Sequence, residues 1–167
     1  EDYETVPTLY ELTEDGTLVL GDAYSPRIGN FAASELDGNM VTNAPWREAA
    51  EQIRRIRFPQ GVTYIGSNAF RGLTNLEVLE LPETVTQIED GAFWGCTGLK
   101  TLTLPQERMT IGTNAFRGLT GLETLEIPET VRTIEDSAFR DCEGLKTLTI
   151  RSGPGLGRDV FSGCPIE

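Results

Sequence analysis

Gly66-Ser67-Asn68-Ala69-Phe70-Arg71-Gly72-Leu73-Thr74-Asn75-Leu76-Glu77-Val78-Leu79-Glu80-Leu81-Pro82 opens on an Ala-Phe turn and closes on a leucine-patterned run that ends in proline. Both halves recur. Ala-Phe returns at Ala92-Phe93, Ala115-Phe116 and Ala138-Phe139, each 23 residues after the last. Proline keeps the same step at Pro59, Pro82, Pro105 and Pro128. The run Leu76/Leu79/Leu81 is repeated at Leu99/Leu102/Leu104, Leu122/Leu125/Ile127 and Leu145/Leu148/Ile150. A fixed period in the twenties means that each unit buries its apolar face only against the next one.

The Leu-x-x-Leu-x-Leu spacing at this period reads as a leucine-rich-repeat solenoid, a right-handed superhelix of β-rich coils with short helical turns. Each coil has three parts. The leucine run alternates like a half-buried strand, and proline ends it because it cannot donate to a ladder. A second extended run follows at Val62–Ile65, Val85–Ile88, Met109–Ile111 and Val131–Ile134. The Ala-Phe segment then reads as one irregular helical turn. Stacked coils place Phe70, Phe93, Phe116 and Phe139 in a ladder of buried rings. Arg108-Met109 breaks the pattern of its sister coils, so a bulge or shift is expected there.

Ile53-x-x-Ile56-x-Phe58-Pro59 matches the leucine run, so the solenoid spans 53–167 in about five coils, the last incomplete. There Gly153-Pro154-Gly155-Leu156-Gly157 replaces the second extended run, and the chain stops where a strand is due, as in a domain cut from a longer chain. Residues 1–52 lack the repeat. Thr8–Leu12 and Thr17–Leu20 flank Thr13-Glu14-Asp15-Gly16 as a β-hairpin. Residues 21–43 read as loop, and Pro45 opens a short helix. This segment reads as the N-terminal cap that a solenoid needs, with Trp46 buried against the first coil. A longer period overlies the short one: residues 59–104 and 105–150 agree at roughly two-thirds of positions. The working unit is therefore a pair of unlike coils.

Composition narrows function. The net charge is −12, which disfavours nucleic acid. No apolar run is long enough to insert in a membrane. Histidine is absent, which removes the commonest general base and the commonest zinc ligand. No P-loop, calcium loop or nucleophile-histidine pair can be built. No catalytic residue, metal or cofactor is assigned, and the protein reads as a non-enzyme. Cys96, Cys142 and Cys164 share a slot with Leu73 and Leu119, so they read as core thiols.

The outward strand positions are expected on the concave face, the usual ligand surface of such solenoids. They are Arg55, Val78, Thr101, Thr124 and Thr147, with Arg57, Glu80, Thr103, Glu126 and Thr149. Arg54, Glu77, Lys100, Glu123 and Lys146 alternate in sign coil by coil and read as a register-setting charge ladder. Trp94 occupies a solvent slot held elsewhere by Arg71, Arg117, Arg140 and Ser162. It reads either as an exposed binding anchor or as a cation–π rung on Arg71 or Arg117.

The motif Pro-x-x-Val-x-x-Ile-Gly-x-x-Ala-Phe-x-x-Cys-x-x-Leu-x-x-Leu-x-Leu/Ile-Pro resembles the BspA-like, Treponema pallidum type of leucine-rich repeat, best over 59–81 and 82–104. Leu12–Leu18 and Ala44-Pro45-Trp46 are similar to the leader of many secreted Firmicutes members. Glu89 and Glu135 depart from the glycine that the family prefers. The resemblance implies a bacterial secreted or cell-surface protein whose partner is a protein of a host or another cell. It implies no catalysis. The other readings are a structural spacer displaying further domains and, through Trp94, a carbohydrate binder.

Overall fold

The computed structural model describes residues 9–151 and 153–166. Fifteen strands carry the chain among those residues. Strands β1 (Tyr10–Leu12) and β2 (Thr17–Leu20) form the expected antiparallel hairpin. Asp15 sets its turn by accepting bonds from the Thr17 hydroxyl at 3.0 Å and from the Thr13 hydroxyl. These bonds hold its carboxyl below the usual range.

The leucine runs form β6 (Arg55–Arg57), β8 (Val78–Glu80), β10 (Thr101–Thr103), β12 (Thr124–Ile127) and β14 (Thr147–Ile150). The second runs form β7 (Tyr64–Ile65), β9 (Gln87–Ile88), β11 (Met109–Ile111) and β13 (Val131–Ile134). The last coil has its second run after all, in β15 (Gly155–Leu156), which pairs with β13 through Thr133↔Gly155 and Ile134↔Leu156. A strand of two residues needs only a ladder edge to lie on, so the loss of the apolar pattern there does not abolish it.

The segment before residue 53 carries more order than its composition announces. Strand β2 pairs in parallel with β6, Thr17↔Arg55 through Val19↔Arg57. Strand β3 (Arg27–Ile28) pairs in parallel with β7. The N-terminal segment thus supplies one strand to each side of the solenoid without the repeat sequence. Between residues 33 and 42 the expected loop is a second hairpin, β4 (Ala33–Leu36) with β5 (Asn39–Thr42). Its turn at Asp37 and Gly38 has positive φ at both residues, as a tight hairpin requires. The expected helix after Pro45 is a 3-10 helix, Arg47–Gln52.

The Ala-Phe turns are not helical. Asn68 and Gly72 hold φ of 56° and 79°, and their N–H groups bond across to the next coil. Asn68 donates to Asp90, Phe70 to Ala92 and Gly72 to Trp94, at 3.0, 2.8 and 2.9 Å. The pattern repeats for Gly91, Phe93 and Gly95 and again for Asn114, Phe116 and Gly118. A helix keeps its amide bonds within one segment; these turns keep only every second one, as from Ala69 to Gly66 and Arg71 to Asn68, and spend the others on stacking.

Rings fill the axis. Phe70, Phe93, Phe116 and Phe139 are fully buried and stack at 5.3, 5.4 and 5.3 Å. Phe161 continues the stack at 5.6 Å and Trp46 begins it, 5.3 Å from Phe70. The Trp46 indole N–H donates to the Ala69 carbonyl at 2.9 Å, so its one polar atom is satisfied in the core. Cys96 and Cys142 are buried and Cys164 is half-buried; all three are free thiols. Met109 drops into the slot of Val85 and Val131, leaving Arg108 exposed, and the register shifts between Met109 and Thr110.

The two-coil unit has a steric basis. A Cβ on Gly112 would lie 2.6 Å from the Ile88 carbonyl oxygen and 2.9 Å from Glu89 C. Gly66 and Gly157 abut the preceding backbone in the same way. Glu89 and Glu135 hold this position in the intervening coils, so close approach alternates with coils that accept a side chain.

Candidate binding surface

Strands β6, β8, β10, β12 and β14 present the candidate residues. Arg55, Arg57, Glu80, Thr101, Thr103, Thr124, Glu126, Thr147 and Thr149 are exposed, and Val78 is half-buried. Between them Leu79, Leu102 and Leu125 turn into the core. The period-2 alternation of a strand accounts for this sorting.

These strands do not form one sheet. They fall into three blocks: β1-β2-β6, β8-β10 and β12-β14. The second runs, by contrast, make an unbroken sheet in the order β15-β13-β11-β9-β7-β3. Within a block the ladder closes tightly: the Lys100 and Thr101 N–H groups donate to Glu77 O at 2.9 and 3.3 Å. Lys146 and Thr147 donate to Glu123 O at 2.9 and 3.2 Å. Among the described residues the counterpart between these two blocks, from the Glu123 and Thr124 N–H groups to Lys100 O, is absent. The seam opens into a cleft of about 320 Å³ between β10 and β12. Lys100, Thr101, Thr103, Thr124 and Glu126 line it, with Leu102 and Leu104 below. A smaller cleft of about 230 Å³ marks the seam between β6 and β8, beside Arg55, Val78 and Glu80.

Four of the ten expected face residues therefore converge on one opening, while Thr147 and Thr149 lie apart from it on β14. Gln106 and Pro128 also line the cleft and were not picked out from sequence. The Gln106 N–H is held by Glu83 Oε2 at 3.0 Å. Its only sequence signal is that it follows a repeat proline.

The alternating charge ladder closes at one rung. Arg54 pairs with Glu77 at 3.0 Å, and among the described residues Lys100, Glu123 and Lys146 make no ion pair. Solvated lysine and glutamate gain too little in high dielectric to hold one geometry. Glu126 instead meets Arg151 Nε at 2.9 Å.

Trp94 is half-buried rather than fully exposed. The Arg71 guanidinium sits 3.8 Å from its ring and that of Arg117 4.8 Å, one from the coil before and one from the coil after. Of the two expectations, the cation–π rung is the geometry seen. Beside it lies a second cleft of about 290 Å³, which reaches the β4–β5 hairpin at Asn39 and Met40.

Residues 48–167 match the BspA type leucine-rich-repeat region in six copies. The chain belongs to that family. The sixth copy exceeds the five coils counted from the leucine runs. Solved leucine-rich-repeat proteins share the chain's fold. A leucine-rich repeat protein of Bacteroides ovatus is 27% identical, with a TM-score of 0.60 over 96% of this chain and 45% of its own. The T. pallidum leucine-rich repeat protein is 24% identical, with a TM-score of 0.58 over 98% and 90%. A leucine-rich cell surface protein of Faecalibacterium prausnitzii is 22% identical, with a TM-score of 0.61 over 100% and 54%. The chain thus spans about half the length of the Bacteroides and Faecalibacterium proteins. No curated protein matches it in sequence. Among the described residues no helix is long and apolar enough to cross a membrane, and no acidic, cysteine or histidine cluster could hold a metal ion.

Proposed function

We propose that this BspA-type chain is a non-catalytic recognition module of a bacterial secreted or surface protein, and that it binds a protein of a host or another cell through the face of β6, β8, β10, β12 and β14. The open seam between β10 and β12 is the observation that supports this most. Backbone N–H groups of Glu123 and Thr124 and the carbonyl of Lys100 are left without a ladder partner there, beside exposed threonine hydroxyls and both signs of charge. A scaffold gains by closing such a ladder; a partner can complete it. The surface location rests on the family and on the Faecalibacterium relative named as a cell surface protein.

The test is direct binding to purified extracellular-matrix proteins and bacterial surface proteins. The comparison is a folded Arg55→Ala/Arg57→Ala/Thr101→Ala/Thr124→Ala variant. The module reading expects a partner whose affinity falls at least about tenfold in the variant, a loss of about 1.4 kcal/mol. No binding at tens of micromolar would favour a spacer that displays other domains.

A further inference from the structure

The second cleft lies on the Ala-Phe turns, away from the strand face. Arg71 and Trp94 form one wall, Asn39 and Met40 another, and Thr74 and Thr97 close it. Gly72 and Gly95 give it a floor without side chains.

Arg71 differs from the other two arginines of its slot. Its neighbours in the same slot both reach Asp141, Arg117 at 3.6 Å and Arg140 at 4.0 Å. Arg71 makes no ion pair among the described residues, in a chain of net charge −12. Its one side-chain hydrogen bond is a long one to Asn68 Oδ1 at 3.4 Å. Its guanidinium carbon lies 3.8 Å from the Trp94 ring centroid, and a guanidinium fork can grip a carboxylate with two bonds. Partial burial and the nearby Arg117 both depress its pKa, so its charged form is short of the stabilisation that an anion would supply.

Three more donors in the cleft are idle. The Thr74 and Thr97 hydroxyls bond to no described residue, and neither does the Trp94 indole N–H, in contrast to that of Trp46. Three backbone N–H groups on the Ala-Phe side of the cleft, however, are already taken. Gly72 N–H is bonded to Trp94 O, Gly95 N–H to Arg117 O and Thr97 N–H to Gly95 O. On this wall a peptide would find none of these three N–H groups free. A compact ring bearing hydroxyls and one acid group would meet every free donor.

We propose that this cleft binds an acidic saccharide. The Arg71 fork takes the sugar carboxylate, the Thr74 and Thr97 hydroxyls and the Asn39 amide take ring hydroxyls, and Met40 with the indole edge covers the ring's apolar side. This site is separate from the strand face, and either can fail without the other.

The experiment is calorimetric and tryptophan-fluorescence titration of the full chain with α-1,4-trigalacturonate. The neutral α-1,4-galactotriose and an Asp/Glu hexapeptide are the other arms. The expected result is binding of the acid trisaccharide at least about tenfold tighter than either of them, with a change in Trp94 emission. Arg71→Gln should remove that preference. Arg71→Lys should restore only part of it, because lysine keeps the charge and loses the fork. Thr97→Val, on the opposite wall, should weaken binding if Arg71 variants prove unstable. Absence of trigalacturonate binding at millimolar concentration would overturn the proposal. So would equal binding of the neutral sugar, hexapeptide binding as tight, or indifference to both Arg71→Gln and Thr97→Val.

Discussion

Gly112 shows how one atom governs the stacking of coils. Its missing Cβ would meet the Ile88 carbonyl at 2.6 Å, and that carbonyl is bound by the Gly112 N–H itself at 2.7 Å. Neither group can move without breaking the ladder. Gly112→Ala should therefore cost about 1–3 kcal/mol in urea unfolding, the usual penalty of overpacking. Gly29→Ala, where a Cβ meets nothing within 4 Å, should cost little. The thiols differ just as sharply at this scale. Burial pushes Cys96 up to about 12. Contact with Cys164 and burial push Cys142 up as well. Cys164, half-buried beside Cys142, is lowered by that neighbour to about 7. The thiolate is the reactive form. Iodoacetamide at pH 8 should thus label Cys164 alone in the folded chain, at a rate that rises as pH passes about 7, and mass spectrometry of the modified peptides would show it.

The strands β10 and β12 belong to neighbouring coils, yet each is bonded to the coil on its other side. Such a seam should be visible in hydrogen exchange. Glu123 and Thr124 amides, with no acceptor across the seam, should exchange faster than Lys146 and Thr147, whose N–H groups are held by Glu123 O. Equal protection of the two pairs would mean that the ladder closes in solution, and the strand face would lose its opening. The seam falls between the units 59–104 and 105–150 that the sequence shows as a duplication. The close approach at Gly66, Gly112 and Gly157 alternates with Glu89 and Glu135 in the same two-coil step.

Across the whole molecule the apolar axis runs without a break from Trp46 to Phe161. Each ring is covered by its neighbours, so an end ring depends on a cap. Tyr10, Tyr24 and Phe31 pack edge-on around Trp46 at 5.9, 5.5 and 5.7 Å and shield that end. We read the N-terminal segment as this cap. Deleting residues 1–52 should bare Phe70 together with the edges of β6 and β7. The truncated chain should lose solubility or associate, and size-exclusion chromatography would report it. A monodisperse, folded truncation would show that the first coil closes itself.

The amino-acid sequence by itself determined whatever is written in a period. The 23-residue step placed both strands of the first four coils, the ring stack and the slip at Met109, because a solenoid contact joins equivalent positions of successive repeats. Trp46 was legible too, as the one tryptophan ahead of the first coil. The tertiary structure alone decided what depends on non-repeating partners. Strands β2 and β3 extend the solenoid by backbone pairing, which needs no leucine pattern. In the turns every second amide bonds to another coil, which interrupts a helix, a choice that local propensity does not record. The face divides into blocks, and Arg71 is left facing a cleft closed by a distant hairpin. Both follow from which backbone edges and side chains meet in space, and the repeat is silent on that.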